Sequence, residues 1–192
     1  MQININSSKL PNKLTIASDS FNSVESVTIS VTANVGSRNE TKSENGISHF
    51  IEHMAFKGTK KRSAKEIAES FENIGAYFNA YTSREKTVYF AKVLKEDIET
   101  ACEILADIVQ NSVYADEEIE RERNVILQEI AMSNDSPDDI IHDHFQNLAF
   151  PDQPLGRNIL GPASNVKKFK RDDIVNYVKK HYHGETLFLT AA

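Results

Sequence analysis

Two histidines and one glutamate stand at a spacing that suits metal chemistry. If the segment around His49 and His53 is helical, as its freedom from internal proline and glycine allows, both imidazoles project from one face, one turn apart. Two imidazoles placed in this way can bind one metal ion. Glu52 directly precedes the second histidine, so its carboxylate can reach a water held by the metal instead of the metal itself. The order His-x-x-Glu-His is the inverted form of a zinc-binding motif.

A second predicted helix carries two glutamates that could complete such a site. A catalytic zinc usually takes three protein ligands and leaves a fourth position for water. In the helix predicted from Asp116, as its cap, to about Met132, Glu122 and Glu129 lie two turns apart on one face, about 10 Å along the axis. Acidic faces of helices usually meet solvent, and spacing alone does not choose the third ligand. A metal ligand and a solvated face therefore both stay open here.

The elements that must position these residues alternate between strands and helices. Val27 to Val35 alternates apolar and polar residues, which predicts a half-buried strand, whereas the histidine segment has apolar residues at helical spacing. Together the patterns predict strands at 10–17, 27–35, 76–82, 87–94 and 185–192, and helices around 47–55, 63–75, 98–109, 116–132, 136–148 and 174–178. This order predicts an α+β fold with a largely antiparallel sheet packed against several helices. Without repeats or low-complexity linkers, residues 1–192 are predicted to form a single domain.

Composition limits the classes of partner. The chain has 22 Lys and Arg against 28 Asp and Glu, a formal net charge of −6, which argues against nucleic-acid binding through general basicity and favours a basic peptide. Cys102 is the single cysteine and fits a buried core position, so no intrachain disulfide forms and a reducing compartment is expected. No stretch is apolar enough to predict a membrane span, and residues 1–13 lack a signal core. The expected location is cytoplasmic, with the mitochondrial matrix as the alternative.

Three segments resemble the pitrilysin/insulinase family of zinc metallopeptidases, and within it the processing peptidases and their bacterial relatives. They are His-Phe-Ile-Glu-His-Met-Ala-Phe-Lys-Gly-Thr at 49–59, the stretch 73–85 with Asn-Ala-Tyr-Thr-Ser-Arg-Glu, and Glu-Arg-Glu-Arg-Asn-Val-Ile at 120–126 continuing to Glu129. The resemblance implies a two-layer α/β sandwich in which His49, His53 and Glu129 bind one Zn²⁺. It also implies that Glu52 is the general base and that Glu122 is an accessory acid beside the metal.

The same resemblance implies a zinc-dependent endopeptidase that hydrolyses extended, basic or unstructured peptides. Phe78, Asn79, Ala80 and Tyr81 fall where the family has an edge strand, to which a peptide adds itself through main-chain hydrogen bonds. The alternative is that the aromatic side chains here are only core and surface residues of a hairpin.

Two aspartates are implied as a subsite for arginine. In the processing peptidases, acids in the helix after the third ligand hold an arginine close to the cleavage point, and Asp139 and Asp143 are the nearest counterparts. The alternative is that acids at this helix start only complement its positive end.

Fully active members of the family have a second homologous half, which this chain lacks. The chain is therefore predicted to be the N-terminal, zinc-binding domain of a longer protein, or to assemble with a separate subunit; a homo-oligomer is a further alternative. A non-catalytic structural subunit of the same family is the competing function, and a zinc-binding regulatory module is a third. The filled set of ligand and base positions favours the enzyme.

Overall fold

One six-stranded sheet and the helices packed against it make up the part of the chain that the computed structural model describes, residues 5–21 and 23–192. The strands are β1 Asn6–Lys9, β2 Thr15–Ser18, β3 Ser26–Ala33, β4 Tyr77–Thr82, β5 Thr87–Leu94 and β6 Leu187–Ala191. Their order across the sheet is β1-β2-β6-β3-β5-β4. All neighbouring pairs are antiparallel except β2 and β6. The predicted α+β class with a largely antiparallel sheet is confirmed.

The helices are α1 Ile47–Met54, α2 Ala64–Glu72, α3 Ile98–Asn111, α4 Asp116–Asp135, α5 Pro137–Ala149, α6 Ala163–Val166 and α7 Arg171–His181. The alternating strand β3 shows why they cover one face, because Ile29, Val31 and Ala33 are buried on that face. Apolar residues of α2 and α3 pack against β3 and β5, while those of α1, α4 and α7 form a second cluster around Ala33. None of the described helices is long and apolar enough to cross a membrane.

The N-terminal part of the sheet differs from the prediction. The strand predicted over 10–17 begins only at Thr15, because Leu10 and Lys13 form a turn in which the Leu10 amide donates to the Leu14 carbonyl at 2.9 Å. The Asn12 side chain accepts from the Leu14 amide and stabilises this turn. Strand β1 was not predicted, since its residues are exposed and polar and its pairing with β2 defines it.

Two further predictions need correction. The helix predicted from Asp116 as its cap has Ala115 at that position, so Asp116 is the first helical residue and contributes as an acid in the first turn. Cys102 is half-buried instead of fully buried, although it packs against the cluster under α3, and burial raises the pKa of its thiol.

Candidate metal centre

The histidine-bearing helix α1 is fixed at both its apolar side and its N-terminus. Ile47, Phe50 and Ile51 are buried in the core, which leaves the other side of the helix for the histidines. The N-terminus is capped by a residue that sequence reasoning missed, Glu40, whose carboxylate accepts from the backbone amides of Gly46 and Ser48 at 2.9 Å each. Its negative charge also stabilises the positive end of the helix.

Close packing around Gly46 sets where α1 begins. This residue has φ of +102°, and a Cβ at its position would lie 2.6 Å from the carbonyl oxygen of Leu160. Only glycine fits such a backbone without strain. The connection before α7 is thereby held directly against the start of the histidine helix.

Helix α4 delivers the two glutamates. Ile119, Ile126 and Ile130 are buried in the same core cluster as the apolar residues of α1, which confirms the predicted apolar stripe of α4. This packing orients the remaining face of α4 toward the histidines. Glu122 lies deep in the contact, with its side chain 9% exposed, whereas that of Glu129 is 44% exposed.

Three potential ligand atoms converge between α1 and α4. Glu129 Oε2 lies 3.5 Å from His49 Nε2 and 3.3 Å from His53 Nε2, and the two Nε2 atoms are 3.3 Å apart. Ligand atoms about 2.0–2.1 Å from a tetrahedral zinc ion lie about 3.3–3.4 Å from one another. Among the described residues, these three form the group whose ligand atoms could hold one metal ion. The donor set, two imidazoles and a carboxylate, fits zinc.

The protonation preferences of the three groups suit a metal site unequally. Burial lowers the pKa of His49 to about 4, so this imidazole is neutral at pH 7 and keeps a lone pair for a metal. Burial acts in the same direction on His53, but its hydrogen bonds to Glu129 and Glu122 outweigh burial and raise its pKa. The hydrogen bond with His53 lowers the pKa of Glu129, which keeps that carboxylate ionised.

Glu122 takes a position different from that of Glu129. Its Oε2 lies 3.0 Å from Nδ1 of His53, on the side of the ring opposite to the converging atoms. Its Oε1 lies 2.6 Å from Nζ of Lys57, a residue that sequence reasoning treated only as part of a basic turn. With both oxygens engaged in this way, Glu122 contacts a candidate ligand and stands outside the ligand group.

A cleft of about 290 Å³ opens beside the converging atoms. His49, Glu52 and Glu129 line one part of it, and Tyr81 and Thr82 of β4 line another. Burial raises the pKa of the Glu52 carboxyl, although hydrogen bonding to Thr82 works in the opposite direction. A carboxyl with a raised pKa beside an open metal position is suited to exchange protons with a reacting water.

The residues predicted to bind peptide lie on β4, which is at the edge of the described sheet. Phe78 packs inward and stacks on Phe71 with ring centroids 4.3 Å apart, while Asn79 and Tyr81 are exposed. Ala80 is half-buried, and its backbone amide donates to the Asn79 side chain at 2.8 Å. The edge therefore offers its main chain and outward side chains to an added strand, and its contact with peptide stays a prediction.

The two aspartates predicted to bind arginine lie on α5 with different surroundings. Asp143 lines the cleft, but its carboxylate already accepts from Arg84 at 3.2 Å and from the Asn158 side chain at 2.6 Å. Asp139, one turn earlier, is exposed to solvent. Of the two, Asp139 is the more accessible to an incoming cation.

The comparisons with known proteins agree with this arrangement. Residues 15–163 match the family model described as insulinase, peptidase family M16. An uncharacterized zinc protease of Rickettsia bellii is 53% identical over the whole chain, which covers 47% of that protein, and the mitochondrial-processing peptidase subunit beta of Saccharomyces cerevisiae is 47% identical over 96% of the chain and 40% of its own length. The chain thus spans about half the length of the curated relatives it matches.

Solved structures show the same fold. A protease from Helicobacter pylori superposes with a TM-score of 0.94 at 26% identity, over 98% of this chain and 46% of that one. A domain described as an inactive peptidase M16 domain from Pseudomonas fluorescens gives 0.90 at 15% identity, over the same 98% and 46%. The fold is therefore that of a peptidase domain with a zinc-type donor set. The chain belongs to the insulinase family, peptidase family M16.

Proposed function

We propose that this chain is the zinc-binding domain of a zinc-dependent endopeptidase. The observation that carries the proposal is the convergence of His49 Nε2, His53 Nε2 and Glu129 Oε2 at the spacing of tetrahedral zinc ligands. When bound, zinc acts as a Lewis acid that acidifies water and polarises the scissile carbonyl of a peptide. The ligand set leaves one side open toward the cleft that Glu52 also lines.

Glu52 is proposed to be the general base. Its carboxylate accepts a proton from the attacking water and afterwards donates it to the departing amine nitrogen, so that the peptide C–N bond breaks with its protons balanced. The raised pKa supports this exchange, because such a carboxyl holds a proton more readily than an exposed glutamate does. Glu122 is proposed to act through His53, whose ring it contacts at Nδ1.

An extended peptide is the proposed substrate. The exposed edge of β4 can accept a peptide strand by main-chain pairing, and Tyr81 and Thr82 of this strand line the cleft with the metal-binding atoms. The negative charge of the chain and the acids of α5 favour a basic sequence. Unstructured peptides fit best, because a folded substrate has no free strand to add.

Further parts of the proposal rest on the resemblance to processing peptidases. The active protein is proposed to include a second half or a second subunit that closes the cleft over the substrate, with a homo-oligomer as the alternative. The proposed location is the bacterial cytoplasm, with the mitochondrial matrix as the alternative.

Zinc dependence provides the first test. The chain should hold about one zinc per molecule, and cleavage of an unstructured basic peptide in the presence of the second half should stop with a chelator and return with added zinc. Metal analysis and a peptide-cleavage assay measure these two results. A protein without bound zinc would contradict the proposed site. Bound zinc without cleavage would instead favour a non-catalytic subunit, a role for which this fold is suited in view of the inactive domain that shares it.

The arginine subsite gives a narrower prediction. Asp139→Asn should reduce the preference for peptides with arginine just before the scissile bond by about 2–5-fold, the effect typical of one exposed charge pair. The measurement is the ratio of kcat/KM for peptides with and without that arginine. Asp138→Asn, at the adjacent exposed position, is the matched control and should leave the ratio unchanged. An equal ratio in wild type and Asp139→Asn would remove Asp139 from the subsite.

A further inference from the structure

Lys57 occupies a place in the metal centre that the ligand set does not explain. It follows the C-terminus of α1, and its Nζ lies 2.6 Å from Oε1 of Glu122. The other oxygen of the same carboxylate lies 3.0 Å from Nδ1 of His53. One carboxylate therefore bridges a lysine ammonium and an imidazole that faces the metal position.

The chain from Lys57 to His53 determines which nitrogen of the ring carries the proton. A carboxylate that is ionised can only accept, so the hydrogen bond to Glu122 places the proton on Nδ1 of His53. Nε2 then keeps its lone pair toward His49 and Glu129, which is the form that a metal requires. Sustaining an ionised Glu122 is costly, because its side chain is only 9% exposed, and a nearby cation offsets that cost.

His49 shows that the two histidines are oriented by different means. Its Nδ1 is buried, and within the described residues no hydrogen-bond partner reaches this atom. Packing alone therefore holds the His49 ring. His53 is more exposed, with 19% of its side chain accessible against 8% for His49, and depends on its charged partner for orientation.

We propose that Lys57 is a positioning residue of the metal centre: its ammonium holds Glu122 ionised and fixed against Nδ1 of His53, so that Nε2 of His53 faces the metal. The inference rests on the proposed zinc site and adds to it a residue outside the ligand, base and accessory-acid set. It also explains why Glu122 and Glu129, on one face of one helix, have different roles. Lys57 keeps both oxygens of Glu122 occupied away from the converging atoms.

Lys57→Met is the variant that tests this role, in the complete chain. In the metal-free protein, ¹⁵N NMR of the imidazoles at a pH where the rings are neutral should show His53 protonated at Nδ1 in wild type and a mixture of tautomers in Lys57→Met. Zinc affinity, measured by competition with a chelating dye, should fall about 10-fold. Lys60→Met, which removes the same charge from an exposed position three residues further on, is the matched control and should change neither result.

A double-mutant cycle separates an effect through Glu122 from a general effect of charge. In a Glu122→Gln background, Lys57→Met should cause no further loss of zinc affinity, because the group it acts on is gone. An unchanged His53 tautomer in Lys57→Met, or full additivity with Glu122→Gln, would overturn the role of Lys57. The NMR result is obtained without metal, so it decides this inference even if wild type fails to bind zinc, which would refute the proposed site instead.

Discussion

Glu52→Gln is expected to keep zinc and to lose peptide cleavage by about 10²–10⁴-fold, the contribution typical of a general base. Glutamine has nearly the same shape and can keep a hydrogen bond to the Thr82 region, so the packing of α1 should be preserved. It cannot accept a proton at neutral pH, and this is the function that Glu52 is proposed to supply. Zinc content and kcat for an unstructured basic peptide are the two measurements, made with the second half present.

The control for this variant is Glu117→Gln, an exposed position in the first turn of α4, which should leave both zinc content and kcat at wild-type values. Cleavage by Glu52→Gln at the wild-type rate would show that another group takes the proton. Loss of zinc together with activity would place Glu52 among the ligands, contrary to the geometry in which Glu129 joins the two histidines.

Local patterns were sufficient to predict the elements around the site. The alternation in β3 and the helical spacing in α1 and α4 each follow from a few adjacent residues, and the hairpin of β4 and β5 confirms the two strands predicted there. Helix α5 illustrates the limit of such patterns. Its apolar stripe was predicted correctly as helical, yet Ile141, Phe145 and Leu148 are exposed, since nothing in the described part of the chain covers them. Periodicity indicates which face is apolar, but not what packs on it.

The site itself depends on contacts between distant segments, which spacing does not determine. The i, i+4 histidines could be predicted from one helix, but the choice of Glu129 over Glu122 came from the family resemblance. The geometry supports that choice, because Glu129 reaches the Nε2 side of the histidines and Glu122 the Nδ1 side of His53. Glu40 and Lys57 were missed for the same reason: each acts on a helix or residue through a tertiary contact that no short motif encodes.

Glu129→Gln should have the larger effect on the metal itself. A neutral amide is a much weaker zinc ligand than a carboxylate, and the remaining pair of imidazoles leaves the site one ligand short. Zinc affinity should fall more than about 100-fold, beyond the 10–100-fold typical of a residue that only orients a ligand. Competition with a chelating dye measures the affinity. A second readout needs no metal: the hydrogen bond from Glu129 helps to raise the pKa of His53, so its loss should lower that pKa in an NMR titration.

Glu122→Gln on the same helix is the comparison that gives this prediction its meaning. A ligand and an orienting residue both lower zinc affinity when removed, but the loss should be clearly greater for Glu129→Gln than for Glu122→Gln. Equal losses would mean that the two carboxylates share one role, and a greater loss for Glu122→Gln would reverse the assignment. The distances favour the first order, because Oε2 of Glu129 lies within 3.5 Å of both Nε2 atoms, whereas Glu122 contacts His53 only at the nitrogen that faces away from them.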